Sequence, residues 1–185
     1  MTRVNIIVEG PTEESFVNNV LAPDLWPKRV FVTAFVLGVP GHKGGNVNYA
    51  RVKKDILLQL KQDREAYCST MFDLYGLKGD FPSGPLPATC SGVERARRIE
   101  EGILRDIVET IPDLRPDVRF LPYLQVHEYE GLLFSDPEVF ARAIGRVNLS
   151  AALQTIRNQF VTPEDINDDP LKAPSKRVLE LYPSY

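Results

Sequence analysis

The stretch VNIIVEGPTEE, residues 4–14, constrains the fold of this chain more than any other. Four apolar residues among its first five predict a short buried strand that ends on Glu9. Gly10 permits a tight turn, Pro11 presets φ, and Thr12 is a suitable N-cap for a following helix. Because open α/β sheets bind ligands at the carboxyl ends of their strands, we expect Glu9 at a ligand-binding edge.

A second acidic residue lies close to that edge. Glu13 follows Glu9 by about one helical turn, and two carboxylates at a junction of strand and helix suggest a divalent metal site. The alternative is an ordinary strand-to-helix turn, because Glu13 and Glu14 also suit the positive end of a helix. The stretch by itself supports both interpretations.

Composition limits the classes of protein that are possible. With 185 residues, of which 43% are hydrophobic and 25% charged, the chain resembles one soluble globular domain. A net charge of −3 gives no overall basic field, so nucleic acid would have to bind a local patch. Cys68 and Cys90 form no zinc or disulfide pattern, which favours a reducing cytoplasm. We expect neither a signal peptide nor a membrane span.

Strand and helix patterns alternate along the chain. Apolar runs and helical stripes predict strands over residues 30–37, 67–72 and 118–126, long helices over 50–64 and 93–111, and short helices within 128–160. This alternation predicts one α/β domain, residues 1–185, with a mostly parallel sheet covered by helices on both faces. Residues 128–185 form its helical C-terminal part.

The predicted strands end on residues that can carry chemistry. Asp73 closes the third strand, and His127 and Glu128 follow the fourth. Since the carboxyl ends of parallel strands share one edge, these residues should converge with Glu9. Such an edge would suit Mg²⁺ or Mn²⁺, which take oxygen ligands from carboxylates, water and phosphate.

The motif MFDLYGLKGDFP, residues 71–82, surrounds Asp73. Asp73 is placed as the principal metal ligand, and Gly76 and Gly79 allow a substrate backbone to approach. Asp80 either reaches the same site or caps a turn.

The motif HEYE, residues 127–130, follows the fourth predicted strand. Glu128 or Glu130 could bind a metal or orient a metal-bound water. His127 could contact a phosphate or transfer a proton, because its pKa lies near neutrality. The alternative is that one glutamate caps the next helix and His127 is hydrogen-bonded within the fold.

Two basic features could bind a phosphate backbone. His42 and Lys43 lie in the glycine-rich loop GHKGG, residues 41–45, which we expect to be mobile. Ser175, Lys176 and Arg177 follow a proline and could begin a helix whose N–H groups are open to an anion. Each could instead be a solvated charge. The run ERARR, residues 94–98, is better explained as an exposed helix face with Glu–Arg pairs.

The motifs described above resemble those of a known family. The pairing of IIVEGPTE, residues 6–13, with a later strand ending in Asp is similar to the TOPRIM fold of topoisomerases, primases and overcoming-lysogenization-defect (OLD) nucleases. The finer resemblance is to an uncharacterised bacterial family of small TOPRIM-like proteins. Its marks span nearly the whole chain: EGPTE (9–13), DLYGLKGDFP (73–82), HEYEGLLFSDP (127–137) and APSKR (173–177).

The resemblance implies a partner as well as a fold. Members of the family are often encoded beside an ATPase of the ABC or SMC type, an arrangement reminiscent of phage-defence nuclease systems. TOPRIM enzymes usually carry Asp-x-Asp at the third strand, whereas this chain has Tyr75 at the second position. Asp80 or the acids of HEYE would then supply the missing oxygens, unless the site binds one metal or is degenerate. The family normally continues beyond APSKR, so we expect further C-terminal helices.

These observations favour a Mg²⁺- or Mn²⁺-dependent phosphodiesterase that acts on DNA or RNA. Its catalytic and metal-binding candidates are Glu9, Glu13, Asp73, Asp80, His127 and Glu128, and its phosphate-binding candidates are His42, Lys43, Ser175, Lys176 and Arg177. The alternative is a non-catalytic subunit that keeps the fold and binds an ATPase or nucleic acid. A receiver-like phosphoacceptor domain ranks third, because Glu9 is followed by Gly-Pro rather than by a second acid. The sequence leaves self-association open.

Overall fold

The computed structural model describes residues 1–38, 47–84, 90–126, 128, 130–167 and 173–185. The chain divides into two compact units, Met1–Gln125 and Val126–Tyr185. The described part of the first unit contains the sheet, whereas the described part of the second is helical. No helix within the described ranges is both long enough and apolar enough to cross a membrane.

The first unit alternates strands and helices, as the sequence predicts. In chain order its elements are β1 (Thr2–Val8), α1 (Pro11–Phe16), α2 (Ala22–Leu25), β2 (Val30–Val36), α3 (Tyr49–Gln62), β3 (Tyr67–Asp73), α4 (Gly92–Thr110), α5 (Pro116–Arg119), β4 (Phe120–Leu121) and β5 (Leu124–Gln125). A π-helical segment, Val17–Leu21, joins α1 to α2. A 3-10 turn, Leu74–Gly76, follows β3 directly.

All strand pairs in the described part of the chain are parallel, which confirms the predicted fold class. The strand order is β2-β1-β3-β4, and β5 also pairs with β3. Val8 at the end of β1 lies opposite Val36 of β2 and Met71 of β3. The carboxyl ends of these three strands therefore lie at one edge of the sheet.

Helices cover both faces of this sheet. With this strand order, the right-handed rule for crossovers predicts α1 and α2 on one face and α3 and α4 on the other. Two contacts support that placement: Asn5 of β1 donates a 3.0 Å hydrogen bond to Gln59 of α3, and Lys53 Nζ of α3 lies 2.8 Å from Asp106 Oδ2 of α4.

The apolar stripes that predict the two long helices are the buried faces of those helices. Both stripes lie almost entirely out of contact with water, and their buried members are Val52, Ile56 and Leu60 in α3 and Ile99, Ile103 and Ile107 in α4. Spacing of four residues keeps each stripe on one side of its helix. Burial of these side chains against the sheet stabilises the unit, by about 1.5–3 kcal/mol for each fully buried aliphatic side chain.

The fourth predicted strand, residues 118–126, is wrong in its extent. Val118 lies inside α5, and the rest is broken at Pro122 into the short strands β4 and β5. A proline has no N–H and cannot donate to the ladder. The Thr70 hydroxyl bridges the break, because it accepts from the Tyr123 N–H and donates to the Tyr123 carbonyl, both at 2.9 Å.

The second unit is built from short helices, as predicted for residues 128–160. They are α6 (Glu130–Leu133), α7 (Pro137–Ala143), α8 (Ser150–Arg157) and α9 (Pro174–Leu181). The helices surround an apolar cluster of buried side chains: Phe134, Phe140, Ala141, Leu153, Ile166 and Val178. Asp136 caps α7, since its carboxylate accepts the Val139 N–H at 2.9 Å.

Candidate functional site

Glu9 lies at the junction where β1 ends and α1 begins. Gly10 is the N-cap of α1 and Pro11 its first residue, so the prediction that Thr12 is the N-cap is wrong. The helix starts earlier because proline suits its first position and Glu13 reaches back, accepting the Gly10 N–H at 3.0 Å. Glu13 thus holds the turn that orients Glu9.

Asp73, the last residue of β3, lies beside Glu9 as the strand-end argument predicts. Gly76, in the turn after β3, lies between the Glu9 carboxylate and the base of the Asp73 side chain. A Cβ built on Gly76 would lie 3.6 Å from Glu9 Oε2 and 3.9 Å from Asp73 Cβ. Since β1 and β3 are neighbouring parallel strands, the residues that follow their ends lie at the same edge of the sheet.

The electrostatics of this edge favour a cation. Burial raises the pKa of Glu9 above its ordinary value, and the nearby Glu13 carboxylate raises it further by repulsion. The ionised Glu9 is therefore both partly desolvated and next to a like charge. A bound cation would offset both effects.

The edge offers two carboxylates, Glu9 and Asp73, to a divalent metal. In the described ranges, no group of three or more His, Cys, Asp or Glu side chains is arranged to hold an ion. Glu9 and Asp73 nevertheless suit Mg²⁺, which proteins commonly bind through one or two carboxylates together with water and substrate phosphate. The edge thus fits a metal whose coordination is completed by substrate or solvent.

Asp80 has a structural partner. Its carboxylate accepts the N–H of Tyr49, the first residue of α3, at 2.8 Å. A negative charge at that position stabilises the N-terminus of α3. One oxygen of Asp80 therefore binds the start of a distant helix, rather than capping a local turn as the alternative proposed.

The segment of residues 80–84, which we call the β3 return segment, is anchored between α3 and α4. The ring of Phe81 lies 5.4 Å from that of Tyr49. The Tyr49 hydroxyl donates to Asp106 of α4. A Cβ on Gly102 of α4 would lie 1.6 Å from the Pro82 carbonyl oxygen, so only glycine permits this approach. The role of Tyr49 and Gly102 in anchoring this segment has no local signal in the sequence, because their partners are distant in the chain.

A cavity of about 320 Å³ lies between the β3 return segment and α4. Its walls combine Arg98 and Arg105 with Glu101, Asp106 and Glu109, so charges of both signs nearly cancel. Glu9 and Asp73 do not line it. We therefore place the candidate site at the strand ends rather than in this cavity.

In the second unit, the motifs HEYE and APSKR are joined by one hydrogen bond. Glu128 Oε2 accepts the N–H of Ser175, the second residue of α9, at 2.9 Å. The predicted helix start at APSKR is present, but the expectation that the Ser175 N–H is open to an anion is wrong. A carboxylate of the protein already occupies that amide, so one oxygen of Glu128 has a capping role.

The remaining predicted residues fall into two groups. Lys176 is exposed, whereas the Arg177 guanidinium lies 5.1 Å from the centre of the Phe160 ring, a cation–π contact. His42, Lys43 and His127 lie outside the described residues, as does most of the loop at residues 38–45.

Comparison with known proteins identifies the family but not an activity. No curated protein and no solved structure matches the chain significantly. A family model covers residues 8–185, which is nearly the whole chain, including Glu9, Asp73 and the Glu128–Ser175 pair. The chain therefore belongs to DUF4276, a family described as a domain of unknown function.

Proposed function

We propose that this chain is a Mg²⁺- or Mn²⁺-dependent phosphodiesterase of TOPRIM type that acts on nucleic acid. The observation that carries the proposal is that Glu9 and Asp73 flank Gly76 at the carboxyl edge of a parallel sheet. The raised pKa of Glu9 supports it, because a partly buried carboxylate beside a second acid is typical of a site that awaits a cation.

Each residue has a definite task in this proposal. Glu9 and Asp73 hold the metal, and Glu13 fixes the turn on which Glu9 stands. Gly76 leaves space beside the Glu9 carboxylate and the base of Asp73, where a side chain would narrow the approach of a phosphate. A bound metal would polarise a phosphoryl oxygen and lower the pKa of its bound water.

The proposed partner is an ATPase of the ABC or SMC type, as the resemblance to small TOPRIM-like proteins implies. A chain with a net charge of −3 has little field of its own to attract a polyanion. A partner that binds nucleic acid would supply that attraction. In this proposal the pair takes part in phage defence or DNA processing in the cytoplasm.

A cleavage assay tests the proposal. Labelled single-stranded DNA, duplex DNA and RNA are incubated with Mg²⁺ or Mn²⁺, with and without the adjacent ATPase. We expect cleavage by the wild type and a loss of about 100-fold or more in Asp73→Asn and Glu9→Gln. Asp113→Asn is the matched control, because Asp113 is exposed in the 3-10 turn after α4, at the opposite edge of the sheet.

The second candidate is a non-catalytic adaptor that binds the ATPase or nucleic acid. Two observations favour it: the described residues contain no preformed set of three metal ligands, and Asp80 already caps α3. Tyr75 stands where TOPRIM enzymes usually have a second aspartate, as expected for a metal site that has lost its activity. Two results together would favour the adaptor. The wild type would form the complex with the ATPase without cleaving any substrate, and Asp73→Asn would assemble with the ATPase as well as the wild type does.

A further inference from the structure

Arg95 differs from the other arginines in the run at residues 94–98. Arg97 pairs with Glu101, and Arg98 pairs with Glu94, both at 3.0 Å, as expected for an exposed helix face. The Nε atom of Arg95 is buried and has no hydrogen-bond acceptor among the described residues. A buried donor of a charged group without a partner costs free energy and calls for an explanation.

The position of Arg95 along α4 places it toward the edge that carries Glu9 and Asp73. Helix α4 leads from the carboxyl end of β3 back to β4, so its N-terminal turns lie at the carboxyl edge of the sheet. Glu100 marks the level of the strand ends, because it accepts the N–H of Leu124, whose strand pairs with the end of β3. Arg95 lies five residues closer to the helix start, about 7.5 Å farther out.

The face of α4 that carries Arg95 is the one that meets the β3 return segment. Gly102 follows Arg95 by seven residues, nearly two full turns, and contacts the Pro82 carbonyl. Asp106 follows by eleven residues, about three turns, and pairs with Lys53 of α3. Arg95 therefore lies on the same face of α4 as Gly102 and Asp106, the face turned toward α3 and the β3 return segment. It is nearer the start of the helix than either of them.

We propose that Arg95 binds a phosphate group at the strand-end edge, beside the pair Glu9 and Asp73. The inference deepens the proposed function and rests on it for the identity of the substrate, a nucleic-acid phosphodiester. A guanidinium presents a planar set of donors that matches phosphate oxygens and keeps its charge at every physiological pH. Because the Arg95 side chain is only partly buried, phosphate oxygens would reach its terminal N–H groups first, and a shift of the guanidinium on binding would give the covered Nε an acceptor.

A titration with inorganic pyrophosphate, without divalent metal, tests the site apart from any cleavage. We expect pyrophosphate to raise the melting temperature of the wild type by mass action. Arg95→Gln should weaken the apparent affinity at least tenfold, whereas Arg97→Gln, which removes an exposed paired arginine from the same helix, should leave it unchanged. An equal response in wild type and Arg95→Gln, or no response in the wild type, would overturn the proposal.

A stability measurement separates ligand binding from a structural role. Arg95→Met keeps the length of the side chain and removes the unpaired donor, so the melting temperature without ligand should stay the same or rise. A fall of several degrees would make Arg95 structural and overturn the proposal. Should Arg95→Gln fail to fold, the pyrophosphate titration is repeated with Arg95→Met.

The outcomes distinguish this inference from the proposed function. Arg95-dependent binding of pyrophosphate without cleavage of any nucleic acid would retain the phosphate site and refute the nuclease. Cleavage that requires Asp73 but proceeds at the wild-type rate in Arg95→Gln would retain the nuclease and refute the site. If both hold, Arg95→Gln should also reduce the slope of log affinity against log salt for an oligonucleotide by about 0.7–0.9, the contribution of one phosphate contact.

Discussion

Glu128 and Ser175 are joined by a 2.9 Å hydrogen bond across 47 residues of chain, from the Ser175 N–H to Glu128 Oε2. The bond links the segment before α6 to the first turn of α9 and satisfies one of the amides that a helix start leaves without an intrahelical partner. One oxygen of Glu128, a candidate catalytic acid in the sequence, thus caps the helix that begins at the APSKR motif.

Removal of this cap should loosen α9. Glu128→Ala deletes a charge-assisted bond to a helix N-terminus, which costs about 1–2 kcal/mol in comparable caps. We expect faster hydrogen exchange of the α9 amides and a lower midpoint in urea. Glu180→Ala, which removes an exposed acid from the same helix, is the control and should change little. Equal exchange in both variants would show that the bond contributes nothing to α9.

The close approach of Gly102 to Pro82 gives a second prediction. Gly102→Ala should destabilise the first unit by about 1–3 kcal/mol or more, because the methyl group would overlap the Pro82 carbonyl and displace the β3 return segment. Gly79→Ala is matched in chemistry, since a Cβ there meets no atom within 4 Å. Urea denaturation measures both. A Gly102→Ala protein as stable as Gly79→Ala would contradict the close packing of α4 on this segment.

The sequence predicts those features whose causes are local. The stripes of α3 and α4 follow from spacing alone, and the edge shared by Glu9 and Asp73 follows from parallel pairing of strands that each show a clear apolar run. The break at Pro122 is also local, since proline cannot donate to a strand ladder, and a stricter treatment of that residue would have divided the predicted strand.

Features set by distant partners were not predictable in this way. Arg119 donates to the carbonyls of Asp63, Ala66 and Leu114, at 2.5–3.1 Å, and so ties α5 to the end of α3 and the start of β3. Nothing in its neighbouring residues signals that role. The same holds for Arg95, which the sequence presents as one of several exposed arginines.

The ion pair of Asp106 with Lys53 should make stability depend on acid pH. Burial opposes ionisation of Asp106, but hydrogen bonds from Lys53 and Tyr49 outweigh it and hold the pKa of Asp106 below its ordinary value of 3.8. A lowered folded-state pKa adds stability that is complete above the unfolded value and is lost as pH falls through the folded value. Asp106→Asn should therefore cost about 1–3 kcal/mol at neutral pH and progressively less below pH 3.8.

Urea midpoints of wild type and Asp106→Asn between neutral pH and about pH 2.5 measure this difference. Asp24→Asn is the control, because its side chain is 70% exposed and pairs with Lys28 on the same helical stretch. Exposed pairs of this kind contribute little at any pH. A difference for Asp106→Asn that stays constant as the pH falls would show that the effect is not electrostatic.

Neutralising Glu9 should have opposite effects with and without metal. Burial and the Glu13 charge raise the pKa of Glu9, so the ionised side chain is less stable in the folded state than in the unfolded chain. Without metal at neutral pH, Glu9→Gln should raise the melting temperature, because it removes the charge that the folded state disfavours. With Mn²⁺, the wild type should gain stability by mass action and Glu9→Gln should gain much less.

Glu14→Gln is the control for this reversal. Glu14 lies in the first turn of α1, where an acid is favourable, so its neutralisation should lower the melting temperature slightly or leave it unchanged. The response of Glu14→Gln to Mn²⁺ should match that of the wild type. If Glu9→Gln and the wild type respond equally to Mn²⁺, Glu9 does not bind the metal. The proposed metal site at the strand ends is then refuted.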